Sequence, residues 1–174
     1  DITFVCTRRG DLGASAHKAF GLFFLISMQN GVFRRPGNEK SRVPHFLYID
    51  EFPDFICKDT EAIFTMYRKY KIGTMVSAQS LTQLDLSSQK ENYKIAILSN
   101  CANKIYTGGA TIEELNWWSD EFGTHREWVY SNSMDMDKMK YDSKYGGVKW
   151  DFVKYFKPGK LQTMAAKDCA YKIR

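Results

Sequence analysis

The stretch His45-Phe46-Leu47-Tyr48-Ile49-Asp50-Glu51-Phe52 decides how this chain is read. Its apolar run, rich in aromatic and β-branched residues and short, has the pattern of a strand largely buried in a sheet. It ends on two adjacent carboxylates. Charged groups are rarely left inside a fold without a partner, so either the chain surfaces at Asp50 and Glu51 or a cation waits there.

Outward from this strand, periodicity and capping residues lay out an alternating pattern. Upstream, Ile2 to Cys6 reads as a short buried strand, Arg8 to Gly13 as a turn, Ala14 to Asn30 as a mostly buried helix and Arg34 to Ser41 as a polar loop. Downstream, Asp59 offers an N-cap for a helix carrying Ile63, Phe64, Met66, Tyr67 and Tyr70 that Gly73 closes, and Thr74 to Ala78 is the next strand. Two capping boxes follow: Ser88-Gln89-Lys90-Glu91 opens a helix through Leu98, and Thr111-Ile112-Glu113-Glu114 opens one that Gly123 ends. Ala102 to Thr107, closed by Gly108-Gly109, is a strand between them. Beyond Gly123 a strand over Arg126 to Ser131 precedes a polar stretch without period, Asn132 to Gly147, which reads as a loop. Leu161 to Ala165 and Cys169 to Ile173 are expected to close the chain as a β-hairpin turned at Lys167-Asp168. Strands alternating with helices predict an α/β fold with a mostly parallel sheet flanked by helices.

Composition bounds the function classes. A chain of 174 residues suffices for one domain with a real core, and the apolar fraction of 44% is that of a globular protein. The net charge of +5 is concentrated at the end, where Lys138 to Arg174 carries ten basic residues against Asp142, Asp151 and Asp168. A basic end suits DNA or another anionic partner; a solvated lysine-rich face is the plainer reading. If Lys138, Lys140, Lys144, Lys149 and Lys154 touch phosphates, binding to DNA must weaken steeply with salt. Cys6, Cys57, Cys101 and Cys169 are far apart and form no metal-ligand cluster, so reduced, partly buried thiols are expected. The opening residues do not read as a signal peptide, so none is expected among these residues, and the most apolar run, Phe20 to Met28, is too short to cross a bilayer. The chain opens on Asp1 and enters a strand-like run at once, so a soluble piece of a longer protein is expected.

In an open parallel sheet, ligands collect beyond the carboxyl ends of the strands, where loops and helix N-termini converge. Asp50 and Glu51 sit at such an end. An apolar strand finishing in Asp-Glu is the pattern by which nucleoside triphosphatases hold magnesium and orient the attacking water. The adjacent strand ends at Gln79, whose amide could bond a γ-phosphate or the lytic water. On its own, Gln79 is as readily a polar residue opening the turn from Ser80 to Asp85.

Three blocks, "FLYIDEF", "MYRKYKIGTMVSAQSLTQL" (Met66 to Leu84) and "ILSNCANKIYTGGATIEELNWWSDEFG" (Ile97 to Gly123), together resemble the TraG/TraD kind of type IV coupling protein, the conjugative DNA-translocating ATPases. Ile2 to Asn30 and "FKPGKLQTM" (Phe156 to Met164) are compatible with the same family, less specifically than the three blocks. The resemblance implies a RecA-like P-loop NTPase core that works as a homo-hexamer, hydrolyses ATP with Mg2+ at subunit interfaces, and moves single- or double-stranded DNA with relaxase or other relaxosome proteins to the components of a secretion channel. By position in the motif, Asp50 is the magnesium-associated Walker B acid, Glu51 the water-activating carboxylate and Gln79 the γ-phosphate sensor. Arg68 falls where the family places an arginine reaching into a neighbour's ATP site; a cation favoured by a helix C-terminus is the competing reading.

One departure matters. A phosphate cradle of the form G-x-x-x-x-G-K-[ST] is absent from the sequence. Residues 1–174 are therefore read as the C-terminal portion of a RecA-like nucleotide-binding domain, with the Walker B and sensor side present and the Walker A half absent. The piece alone is expected to be inactive, and its parent to sit at the cytoplasmic side of the bacterial inner or cytoplasmic membrane. Two alternatives stand beside this. One is a type IV secretion assembly ATPase or a FtsK/HerA-type DNA pump, and the other is a non-enzymatic module docking DNA or a relaxase.

Overall fold

A computed structural model describes residues 2–85, 93–131, 134–135, 140–141 and 147–173. The chain divides into two compact units, Asp1–Ala102 and Asn103–Arg174.

In the first unit, α1 (Arg9–Phe33) leads to β1 (His45–Ile49). Gly13 interrupts α1 at φ 77°, so the first residues form a separate turn and the helix proper begins where the apolar run begins. The expected strand over Ile2 to Cys6 is corrected: these residues form no strand, and Ile2 and Phe4 are 84% and 92% exposed, since no neighbouring strand supplies a ladder for their backbone. After β1 the chain runs through 3-10 turns at Phe52–Phe55 and Lys58–Glu61, the single turn α2 (Ala62–Thr65) and a further 3-10 turn at Tyr67–Tyr70. The one long helix expected here is thus broken, with Cys57 rather than Asp59 at its N-cap. It stops at Lys71, φ 55°, before Gly73 is reached. Gly73 lies inside β2 (Ile72–Val76), where a Cβ would come within 2.9 Å of the Phe46 ring.

β1 and β2 pair in parallel, with His45 opposite Ile72 and Ile49 opposite Val76. The buried residues of this unit include Ile49 of β1 and Ile72 of β2, Leu25 and Val32 of α1, Phe52, Phe55, Ile63 and Tyr67 and, from α3 (Tyr93–Asn100), Tyr93 and Ile97. Burial pushes the Tyr67 phenol up to about 12. The capping box at Ser88 to Glu91 lies outside the described residues.

The second unit holds β3 (Lys104–Tyr106), α4 (Ile112–Phe122), β4 (Thr124–Ser131), β5 (Met134–Asp135), β6 (Lys140–Tyr141), β7 (Gly147–Lys154), α5 (Pro158–Gln162) and β8 (Ala170–Lys172). The capping box on α4 forms as read: Thr111 Oγ1 accepts from the Glu114 N–H, Glu114 Oε2 accepts from the Thr111 N–H, and Gly123 ends the helix at φ 84°. Tyr106, Leu115, Leu161 and Ala170 make the core, with Trp118, Phe122 and Phe156 against it. Trp117 and Trp118 stand edge to face, 5.1 Å between centroids, and both are half-buried.

The C-terminal β-hairpin is a second correction. Pro158 opens a helix at its first position, which takes Leu161 into the core. β8 pairs antiparallel with β3, Tyr106 opposite Ala170, rather than with residues 161–165. Among the described residues the ladders are all two-stranded, and only β1–β2 is parallel. Within the stretch read as a loop, Met134–Asp135 pairs with Lys140–Tyr141, and the rest up to residue 146 lies outside the described residues.

Candidate functional site

The end of β1 explains the carboxylate doublet. Pairing with the neighbouring chain continues past both strands: the Ser77 N–H donates to the Ile49 carbonyl at 3.0 Å, and the Phe52 N–H donates to the Ser77 carbonyl at 3.0 Å. A regular parallel ladder would span these two bonds with one intervening residue; here there are two, Asp50 and Glu51. The extra residue is absorbed by Glu51, which adopts the left-handed conformation, φ 50° and ψ 42°. Both carboxylates are thereby carried out of the sheet while the chain on either side stays tied to Ser77.

Ser77 also holds Asp50 directly. Its hydroxyl donates to Asp50 Oδ1, which accepts the Glu51 N–H as well, at 3.0 Å. That leaves Oδ2 for a cation. Asp50, Glu51, Ser77 and Gln79 line one cavity of about 380 Å³, together with Arg9 and Asp54. Arg9 Nη1 donates to Asp54 Oδ2 at 3.2 Å; His17 Nε2 lies 3.4 Å from the same oxygen, and Thr7 Oγ1 lies 2.7 Å from His17 Nδ1. Three carboxylates against one guanidinium leave this wall with a negative excess, which a divalent cation would balance. Among the described residues no group of three or more His, Cys, Asp or Glu is arranged to hold a metal without help from other ligands. An Asp oxygen beside a hydroxyl fits a magnesium ion that takes its remaining ligands from water and phosphate.

Three residues singled out from sequence, Asp50, Glu51 and Gln79, are thus brought to one cavity; the Gln79 N–H donates to Gln83 Oε1 at 3.1 Å. Arg68 is not. It lies exposed in the turn before β2, at the opposite end of strands that span about 16 Å. Sequence reasoning missed Ser77, Arg9 and Asp54. Ser77 carried a usable signal, standing two residues before Gln79 at a strand end, whereas Asp54 and Arg9 meet across 45 residues of chain.

The basic end is less free than its composition implied. Lys149 Nζ pairs with Asp151 at 2.9 Å, which raises the lysine above and lowers the carboxyl below its ordinary range, and Lys154 pairs with Asp120 at 2.8 Å. Lys138 and Lys144 lie outside the described residues. All four cysteines are free thiols, with Cys6 and Cys169 exposed and Cys57 and Cys101 partly buried. Among the described residues no helix is long and apolar enough to cross a membrane.

A family model described as the TraM recognition site of TraD and TraG matches residues 44–153, more than half of the chain. The chain belongs to this family. Its fold is shared with the bacterial conjugative coupling protein TrwBdeltaN70. The unbound monoclinic form of that protein superposes at TM-score 0.63 with 15% identity, covering 83% of this chain and 31% of that one. The trigonal form in complex with sulphate superposes at TM-score 0.68 with 14% identity, covering 90% and 34%. This TraG/TraD-family chain therefore spans about a third of those solved chains. Comparison with curated protein sequences gave no match.

Proposed function

We propose that this chain is the Walker B and sensor side of a RecA-like motor domain in a conjugative coupling ATPase, which uses ATP and Mg2+ to move DNA or DNA–protein substrate to a secretion channel. The observation that carries the reading is the convergence of Asp50, Glu51 and Gln79 on one cavity, with Asp50 fixed by Ser77. Bound magnesium would polarise the transferred phosphoryl group. Asp50, oriented by the Ser77 hydroxyl, would hold the ion. Glu51, carried out of the sheet and open to solvent, would orient a water and accept its proton. The Gln79 amide, which can donate and accept, would report the terminal phosphate to the loop that follows it.

The reading requires a phosphate cradle from outside these 174 residues, since no G-x-x-x-x-G-K-[ST] occurs among them. Arg68, remote from the cavity of its own chain, would serve a neighbour's site in a homo-hexameric ring. The parent would work on the cytoplasmic side of the bacterial membrane. The family description names TraM recognition, and we assign a relaxosome protein of that kind as a partner of this chain. That description also favours a second reading, a docking module without hydrolysis. Glu51→Gln in the intact parent separates the two: a motor loses ATP hydrolysis while still docking its partner, and a docking module is unchanged in every respect.

A further inference from the structure

β4 and β7 form a two-stranded antiparallel ribbon of eight residues on each side. Side chains alternate between its faces, so the register sorts them. On one face Arg126 stands opposite Phe152 and Trp128 opposite Trp150, with Val148 beyond; Glu127, Lys149 and Asp151 take the other face. The first face is open to solvent: Trp128 is 51% exposed, Trp150 55% and Phe152 64%. Its groups are nevertheless ordered against one another. The two indoles lie 4.4 Å apart between centroids, and the Arg126 guanidinium sits 5.0 Å over the Phe152 ring. Aromatic surface left in water at this density marks a contact surface.

Its charge selects the partner. Glu127 and Asp151 are on the reverse side, and Lys154, opposite Thr124 at the foot of the ribbon, is already neutralised by Asp120. Arg126 is therefore the cation among the described side chains of this face that carries no ion pair. π-faces beside a guanidinium suit a polyanion with flat rings. Geometry narrows the choice further. Successive same-face rungs are separated by two residues, about 6.8 Å. That is twice the 3.4 Å between stacked nucleotides of a duplex strand. Bases seated on successive rungs must be unstacked from one another, which costs a paired duplex more than it costs a flexible single strand.

We propose that the Arg126/Phe152 and Trp128/Trp150 rungs form a stacking platform for single-stranded nucleic acid. This deepens the reading of the chain as part of a DNA-moving protein and rests on it. Each rung would seat one base, on the Trp128/Trp150 indoles and on the Phe152 ring, with Arg126 contacting phosphate or a ring face, and recognition would tolerate any sequence because every base has a π-face.

The test is fluorescence anisotropy of a labelled oligothymidylate of about twelve nucleotides titrated with the 174-residue chain, repeated with a duplex of equal length and across salt concentrations. Trp128→Ala and Trp150→Ala are each expected to weaken single-strand binding by about 5- to 150-fold, while Trp128→Phe and Trp150→Phe retain most of it. Arg126→Gln should reduce the salt slope by about one. Both indoles are half exposed, so the substitutions leave the core intact, and the Phe variants separate lost stacking from lost folding. Alanine variants that bind the single strand like the wild type would overturn the platform and leave DNA as a partner bound elsewhere. Equal binding of the duplex with the same indole dependence would also overturn it. Loss of relaxosome-protein binding, with DNA binding unchanged, would make the face a protein dock instead. A wild-type chain that binds no single strand would reject the platform, while hydrolysis by the parent, tested through Glu51, would still decide the motor reading separately.

Discussion

Replacing Glu51 by glycine should stabilise the chain while removing the carboxylate that the proposed chemistry needs. Glu51 holds φ 50° and ψ 42°, a left-handed conformation in which a Cβ costs about 1–2 kcal/mol. Glycine relieves that cost and gives back about 0.5–1 kcal/mol through the greater freedom of its unfolded chain. The Glu51 N–H donates to two side-chain oxygens of neighbouring residues, Asp50 Oδ1 and Ser77 Oγ, and neither bond involves the Glu51 side chain, so both remain. The net expectation for Glu51→Gly is a gain of about 0–1.5 kcal/mol, centred on about 0.7. With a denaturant slope of about 1–3 kcal/mol per molar urea, the central value raises the midpoint of unfolding by about 0.2–0.7 M. Glu51→Gln, which keeps the Cβ, should stay within about 0.5 kcal/mol of the wild type. Urea unfolding of the three proteins side by side is the assay. A glycine variant no more stable than the glutamine variant would show that the left-handed residue is not strained, and the account of the doublet as an enforced bulge would fall.

Two further perturbations test the packing that carries the site and the platform. Glu121 is pushed up by burial, but hydrogen bonds from Lys104 and Lys172 at 3.0 and 3.1 Å more than offset this and hold its carboxyl below the ordinary range. A depressed carboxyl contributes stability above its unfolded value, about 4.3, and that contribution is lost as pH falls through the lower folded value. Glu121→Gln should therefore cost about 1–2 kcal/mol at pH 7, and the difference from wild type should shrink as the pH falls below about 4, read by thermal unfolding across pH. In the first unit, a Cβ on Gly21 would overlap the Phe55 ring at Cε1, and Phe55 is itself buried against His17, 5.3 Å between ring centroids. Gly21→Ala should cost about 1–3 kcal/mol by urea unfolding, with an unchanged midpoint showing that the ring swings away freely.

Legibility followed sequence distance. β1, the carboxylate doublet, Gln79 and the Thr111–Glu114 capping box could be read because each is decided within a few residues by strand composition or a side chain reaching its own helix end. The Tyr67–Tyr70 turn was harder: the apolar spacing was helical, yet Lys71 reverses the chain before Gly73, and close approach of Phe46 then fixes glycine inside β2. The C-terminal hairpin failed because pairing is non-local. Cys169 to Ile173 has the residues of a strand, but its partner is β3, more than sixty residues upstream, and Pro158 turns the nearer segment into a helix.

The same non-locality hides Ser77 and the aromatic ribbon. Ser77 looks like an ordinary strand-end serine until the ladder places it on both sides of the Asp50–Glu51 bulge. No aromatic–basic repeat runs along either β4 or β7, because the repeat exists across them: Trp128 meets Trp150 and Arg126 meets Phe152 only when the register is known. A shift of that register by one residue would move Trp150 and Phe152 to the reverse face and bring Lys149 and Asp151 to the front, leaving Trp128 and Arg126 without aromatic partners. The platform is thus a property of the pairing, and the sequence of each strand taken alone contains no sign of it.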